Sequence, residues 1–239
     1  MSTVLITGAN RGFGLAMTQR FSAMAHTQVL ACCRNPEEAV ALKALSKTNP
    51  KISIHTLDVS RLNDIENLGK SLGAIPIDIL INNAGIFGKN PPATTGFADQ
   101  VFGNSDYPAD WVAPYAVNVI GPMKMVETLV DNVAASEEKK IVVITSVVGS
   151  IAGAHGQMFG YAASKAAANM TARNLALALK TRGIIVNPLH PGYAKTDMGG
   201  SQAHVEVDDA VDGIMARIDE MTLETSGQFL SYDGSTIPW

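Results

Sequence analysis

Val4-Leu5-Ile6-Thr7-Gly8-Ala9-Asn10-Arg11-Gly12-Phe13-Gly14 carries an apolar run into a glycine-rich turn, and the turn leads into a helical pattern near 13–25. The first N–H groups of a helix have no partner inside it, and the helix dipole favours an anion beside them. Gly8 permits the tight turn, while Gly12 and Gly14 permit close approach of a phosphate and of the helix itself. The spacing is G-x-x-x-G-x-G rather than the G-x-G-x-x-G of other dinucleotide folds. Glycines alone also mark plain turns. Placed directly after an N-terminal strand, they point to a site for a dinucleotide pyrophosphate, with Gly8, Asn10, Arg11, Gly12, Phe13 and Gly14 around it.

The same strand-then-helix alternation continues outward from this unit. Strand-like runs are Thr3–Thr7, Gln28–Cys33, Ile52–Leu57, Ile77–Ile81, Lys140–Thr145, Gly183–Leu189 and Gln228–Ser231. Most are continuously apolar, which suits parallel strands buried on both faces. Helical candidates lie near 37–48, 61–72, 108–135, 160–182 and 207–221. Asn35 and Pro36 fit the start of the first of these, and Asp58 or Ser60 would cap the next. The stretch 86–107, rich in glycine and proline, reads as a long surface loop. The alternation predicts an α/β fold: one Rossmann-like, doubly wound parallel sheet of about seven strands with helices on both faces, forming a single domain over residues 1–239.

Composition narrows the function classes. The 239 residues are 46% hydrophobic and 17% charged, with a net charge of -4. No basic block is interleaved with aromatics, so nucleic acid is not an expected partner. No stretch is long and apolar enough to predict a membrane span, and no basic leader precedes Val4-Leu5-Ile6. Cys32 and Cys33 are adjacent, and neighbours on a strand point to opposite faces, so they are not expected to form a bridge. A reducing, cytoplasmic setting fits. The five histidines show no metal-ligand spacing, so no metal is expected.

The end of the second strand bears on the cofactor. An NAD site would place an Asp or Glu there for the ribose 2′-hydroxyl. Instead the sequence runs Ala31-Cys32-Cys33-Arg34, with no carboxylate before Glu37. Arg34 suits a 2′-phosphate, and Arg11 would add a second cation, so NADP(H) is expected. About 150 residues beyond the glycine turn, Tyr161-Ala162-Ala163-Ser164-Lys165 sets a phenol and an ammonium four residues apart on one helix face. The two segments together suggest a nicotinamide enzyme that moves a proton with tyrosine.

These pieces stand with Leu57-Asp58-Val59, Asn82-Asn83-Ala84-Gly85, Asn118, Ser146 and Pro191-Gly192. In that order and spacing the chain resembles the short-chain dehydrogenase/reductase family almost end to end. Cys33-Arg34-Asn35-Pro36, His190-Pro191-Gly192-Tyr193 and Thr196-Asp197-Met198-Gly199-Gly200 make it similar to the C-factor, sniffer and carbonyl-reductase-like branch. The resemblance implies that Asn118, Ser146, Tyr161 and Lys165 are catalytic. Tyr161 would exchange the proton, and Lys165 would bond the nicotinamide ribose. Ser146 would hold the substrate oxygen, and Asn118 would anchor a relay water. Asp58 and Val59 would flank the adenine. Asn82 to Gly85 would line the floor under the adenosine ribose, and Pro191, Gly192 and Thr196 would fix the nicotinamide.

A free tyrosine has a pKa near ~10, and an ammonium ~4 Å away would lower it by roughly three units at an effective dielectric near 20. Lys165 is therefore expected to bring Tyr161 close to working pH. Ser146, Ile151, His155, Met158, Tyr193 and Met198 are candidate pocket residues. The segment after Thr196 is short, so an open pocket without a large helical lid is expected.

The implied activity is NADPH-dependent reduction of small ketones and aldehydes. The alternative is a dinucleotide-binding signalling or sensor protein of C-factor type with little turnover. Family members pair the helices near 108–135 and 160–182 across a two-fold axis. The alanine-rich second helix, with Leu175, Leu177 and Leu179, implies a homodimer or homotetramer.

Overall fold

Apolar alternation and strand pairing in the computed structural model, which describes residues 1–95 and 101–239, produce a single seven-stranded parallel sheet. The elements are β1 (Ser2–Thr7), α1 (Gly12–Ala23), β2 (Thr27–Cys33), α2 (Val40–Thr48), β3 (Ile52–Thr56), α3 (Leu62–Leu72), β4 (Ile79–Asn82), α4 (Pro92–Thr95), α5 (Ala113–Tyr115), α6 (Gly121–Ala134), β5 (Lys140–Ile144), α7 (Phe159–Leu179), β6 (Ile185–His190), α8 (Val207–Asp219) and β7 (Leu230–Ser231). The strand order is β3-β2-β1-β4-β5-β6-β7. The order reverses between β1 and β4, and ligands of such sheets bind beyond the strand C-termini at that crevice.

Two apolar layers flank the sheet. Val4, Ile6, Val29 and Ala31 pack with Met17 and Phe21 of α1 and with Val211, Ile214 and Ile218 of α8. Leu5, Leu30, Leu80 and Ile141 pack on the other face with α3, α6 and α7 through Ile65, Leu68, Met125, Leu129, Ala172 and Leu175. Cys32 and Cys33 point to opposite layers and are both free.

Local details depart from the sequence expectations. Pro36 opens a separate 3-10 turn, Pro36–Glu38, and Asn35 precedes it without capping it through its side chain. α2 begins only at Val40. Arg61, not Asp58 or Ser60, stands at the N-cap of α3. The Asp58 carboxylate is instead occupied by the Ser60 hydroxyl at 2.6 Å and the Ser60 amide at 3.0 Å. The stretch 86–107 includes the short helix α4, and its residues 96–100 lie outside the described residues.

The proline in β6 has a physical account. The amide of Ile185 donates to Lys139 on the β5 side, whereas that of Val186 donates to Ser226 on the other side. By the period of two, position 188 also faces away from β5. Among the described residues, β7 pairs with β6 only at Leu189 and His190. Pro188 therefore lacks an N–H where no neighbouring strand needs one.

Candidate active site

β1 ends in the glycine turn, and β4 ends beside it. Thr7 Oγ1 accepts the amides of Asn83 and Ala84, each at 3.0 Å. Asn83 Nδ2 donates to the carbonyls of Thr7 at 2.8 Å and Gly8 at 3.2 Å. The 83–85 segment thus holds the turn in place. A Cβ at Gly14 would stand 2.2 Å from the Gly8 carbonyl oxygen, so only glycine lets α1 start this close to the turn. Arg11, at the N-cap of α1, makes no side-chain cap bond, and the first turn of α1 holds no acidic residue. Among the described residues, no side chain caps the amides at this helix start, which is the arrangement that suits an anion. Asn82, buried nearby, leaves both its side-chain nitrogen and oxygen without partners among the described residues. Uncapped amides and an orphaned buried amide group fit a bound dinucleotide.

Arg34 is exposed at the end of β2 and close enough to Asp58 to influence its charge. Burial opposes ionisation of Asp58. The Ser60 hydrogen bonds, then Arg34 and Arg61, outweigh it and hold the carboxyl below its usual range. Arg34 and Asp58 thus lie near one another beyond the C-terminal ends of the strands. Arg11 does not join them. It pairs with Asp197 at 3.1 Å, and both side chains are exposed. Such a pair contributes about 0–1 kcal/mol, little enough for a phosphate to displace. Thr196 lies against the turn, with its methyl 3.6 Å from where a Gly12 Cβ would be.

The expected catalytic residues converge. Asn118 belongs to a continuous helical stretch that opens with a π-helical turn, Tyr107–Val112, passes through α5 and a second π turn, Ala116–Ile120, and continues as α6. Prolines explain the widened turns. Pro114 and Pro122 have no N–H to give the carbonyls of Asp110 and Asn118. The Asn118 side chain accepts the Ile86 amide at 2.9 Å and donates to the Ile86 carbonyl at 2.9 Å and to Ser164 Oγ at 3.0 Å. Ser164 Oγ in turn donates to the Tyr161 carbonyl at 2.7 Å. Positions around Gly85 bring Asn118 and Lys165 together: a Cβ there would lie 3.3 Å from Asn118 Oδ1 and 3.5 Å from Lys165 Nζ. Lys165 Nζ donates to the Ile144 carbonyl at 3.0 Å and stands 5.7 Å from the Tyr161 ring centroid. Ser146, just beyond β5, reaches Tyr161 by a side-chain hydrogen bond.

The electrostatics correct one expectation. Burial pushes the Tyr161 phenol up to about 12, and the Ser146 hydrogen bond opposes this only in part. Burial also lowers Lys165 to about 8. Desolvation penalises both charged forms, and the causes acting on the phenol are burial and Ser146, with no contribution from the ammonium, which donates to the Ile144 carbonyl. Lys165 therefore does not bring Tyr161 near neutral pH in this arrangement.

Three contributors are absent from the sequence-derived set. Phe87, buried, packs on Tyr161 with ring centroids 4.6 Å apart. Ser164 links Asn118 to α7, and its place inside Tyr161-x-x-Ser164-Lys165 makes it the one that the sequence could have flagged. Gly160 is the third. A Cβ there would sit 1.9 Å from the Asp110 carbonyl oxygen. Gly160→Ala is expected to destabilise the fold by about 3 kcal/mol, because backbone rather than a flexible side chain must move. Urea denaturation checks this, and an unchanged midpoint contradicts it.

The expected pocket residues are less uniform. Met158 is buried and holds φ 55° at the N-cap of α7, a left-handed conformation uncommon for a bulky residue. Ile151 is 77% exposed, and His155 is exposed beside it. Tyr193 turns its hydroxyl to the Gly199 carbonyl at 2.8 Å. Met198 gives its carbonyl to the Ala93 amide at 3.1 Å, so the 193–200 segment rests on α4. No helix forms between Pro191 and Glu206, in keeping with the expected lack of a helical lid. Among the described residues, no helix is long and apolar enough to cross a membrane.

A short chain dehydrogenase model matches residues 2–206. The chain belongs to that family. It is 32% identical to an uncharacterized oxidoreductase of Schizosaccharomyces pombe over 98% of this chain and 96% of that one. It is 34% identical to the C-signal protein of Myxococcus xanthus over 69% of this chain and 93% of the other. An NADPH-bound carbonyl reductase from chicken fatty liver superposes with a TM-score of 0.88 at 30% identity, covering 100% of this chain and 98% of that one. The carbonyl reductase Sniffer of Drosophila melanogaster gives 0.89 at 27% identity, with both chains covered in full. The short-chain dehydrogenase is thus an oxidoreductase by family, with the fold of the carbonyl reductases.

Proposed function

We propose that this short-chain dehydrogenase, residues 1–239 acting as one domain, reduces ketone and aldehyde carbonyls with NADPH. One observation carries the reading: Ser146, Asn118 and the Tyr161–Lys165 pair of α7 come from three segments and meet beside the glycine turn. The carbonyl reductases of similar fold, one of them NADPH-bound, support it.

When bound, the nicotinamide supplies the hydride. Gly8 to Gly14 hold the pyrophosphate, Asp58 and Val59 the adenine, Asn83 to Gly85 the ribose beneath it, and Pro191, Gly192 and Thr196 the nicotinamide amide. Ser146 donates to the carbonyl oxygen and stabilises its developing charge. Tyr161, kept protonated by burial, gives its phenolic proton to that oxygen. Lys165 holds the ribose and the water path. The Asn118 carbonyl, denied its i+4 donor by Pro122, is the acceptor for the water that reprotonates Tyr161. A panel of activated carbonyls tests the reading by following NADPH oxidation, and an absence of turnover across the panel overturns it. It would instead favour a non-catalytic, signalling role, for which the C-signal relative is the one supporting observation.

Arg34 is assigned to the 2′-phosphate. Arg34→Asp removes the cation and repels the phosphate, and is expected to lower kcat/KM with NADPH about 100-fold while improving NADH. Steady-state kinetics with both cofactors decide it, and an unchanged ratio removes Arg34 from the site.

Assembly through α7 and its neighbour belongs to the same proposal. Met170 and Leu177 of α7 are exposed, as are Val112, Tyr115 and Ile120 on the adjoining helical stretch. Leu175 faces the core and Leu179 is partly buried, so Leu177 alone of the three leucines is exposed. Exposed apolar faces on two neighbouring helices suit a two-fold dimer, or a tetramer of such dimers. Light scattering during size-exclusion chromatography is expected to give a multiple of 25.2 kDa, and a single species at that mass contradicts it.

A further inference from the structure

Residues 229–239 touch both sides of the site. Leu230 and Thr236 form an antiparallel bridge. Ser231 donates its amide to Ser235, and Ile237 donates to Phe229, each at 2.9 Å. The segment is therefore a hairpin against the end of β6. At its turn, Tyr232 donates its amide to the His190 carbonyl at 2.8 Å. Its ring lies so close to Gly192 that a Cβ there would be 2.9 Å away.

Past the hairpin, the chain crosses to the loop that follows Ser146. Buried Ser150 donates its hydroxyl to the Pro238 carbonyl at 2.6 Å. The same hydroxyl accepts the Gly153 amide at 3.2 Å. Ala152 donates its amide to the Trp239 carbonyl at 3.0 Å, and the Trp239 indole stacks on Phe229 with centroids 5.4 Å apart. The loop itself joins Ser146 to the first turn of α7, where Tyr161 stands, so its two ends flank the place where those two hydroxyls meet. One end is fixed at Gly149, whose carbonyl accepts from Asn169 Nδ2 at 3.3 Å. The other end is the buried Met158. Residues 151–157 between them are all exposed. Among the described residues, their hydrogen bonds run within the loop or to Trp239.

We propose that residues 229–239 are a strut that fixes the substrate wall, with Trp239 as the positioning residue that sets the KM for the carbonyl. The inference rests on the reading that Ser146 and Tyr161 receive a carbonyl oxygen. An unanchored loop must be ordered when substrate binds, and that entropy cost weakens ground-state binding. The chemical step is spared, because Ser146, Tyr161 and Lys165 are held by β5 and α7 rather than by the loop.

The experiment compares Trp239→Ala, Trp239→Phe, Ser150→Ala and the double variant that combines Trp239→Ala with Ser150→Ala. The measurements are kinetics, NADPH titration, thermal melting and amide hydrogen exchange. Trp239→Ala is expected to raise the carbonyl KM about tenfold with kcat and NADPH affinity within about twofold, and Trp239→Phe is expected to restore it. Exchange at the Ala152 and Gly153 amides is expected to speed up about tenfold or more, and the double variant to be less than additive. Unchanged KM and unchanged exchange in Trp239→Ala overturn the strut. So does a loss of kcat and NADPH affinity in step with a fall in Tm, which marks general destabilisation. A wild-type protein that reduces no carbonyl removes the functional reading and the KM claim, while the exchange arm still decides whether Trp239 holds the loop.

Discussion

Tyr161→Phe lowers kcat for carbonyl reduction by about three orders of magnitude and leaves NADPH affinity within about twofold, on the scale expected for losing a positioned general acid. The substitution removes one oxygen and keeps the ring. Packing on Phe87 is preserved, since that contact is made by the ring face. Ser164 bonds the backbone carbonyl of Tyr161 rather than its hydroxyl, so the link to Asn118 also survives. The lost hydroxyl is the one that Ser146 meets. Fluorescence titration with NADPH beside single-turnover rates separates binding from chemistry. A variant that keeps most of its kcat would show that another group delivers the proton.

Lys165→Met abolishes turnover and makes the cofactor-free protein more stable. The side chain is 5% exposed, and burial lowers its pKa from 10.5 to about 8. The charged form at neutral pH thus costs about 3 kcal/mol relative to the unfolded chain. Loss of the hydrogen bond to the Ile144 carbonyl returns about 1–2 kcal/mol of that, so a net gain of about 1–2 kcal/mol is expected. The sign follows from proton uptake. Between pH 8 and the unfolded value of 10.5, the unfolded chain binds more protons at this site, so the wild-type protein gains stability as pH rises through that window. Below it the cost is constant. Melting curves at neutral pH and near pH 10 test both points: the advantage of Lys165→Met shrinks at the higher pH. A lower melting temperature for the variant at neutral pH refutes the argument.

Much of the fold was legible because parallel strands buried on both faces are continuous apolar runs. Val4-Leu5-Ile6 and Ile141-Val142-Val143-Ile144 have no other easy reading. The glycine turn was legible for the same kind of reason, since Gly14 stands where a Cβ cannot. Helix starts were harder. Asp58 and Ser60 looked like caps of α3, but each satisfied the other first, a local choice between two short polar side chains. The widened turns around Asn118 follow from Pro114 and Pro122, a signal present in the sequence but ambiguous there, because a proline can also end a helix. Phe87 and the Arg11–Asp197 pair join segments distant along the chain, and no local pattern announces such contacts. The same holds for Tyr161. Its spacing to Lys165 was visible, but the direction of the lysine toward Ile144 and the burial of both groups were not.

The adjacent cysteines have a practical consequence. Cys32 and Cys33 are both buried, one in each apolar layer, and burial raises both thiols above their ordinary range. A thiolate is the reactive form, so neither sulfur meets an alkylating reagent or an oxidant in the closed molecule. Labelling must wait for the layers to open. The two thiols are therefore native gauges placed on opposite sides of one strand, and their separate modification rates would report which layer comes apart first.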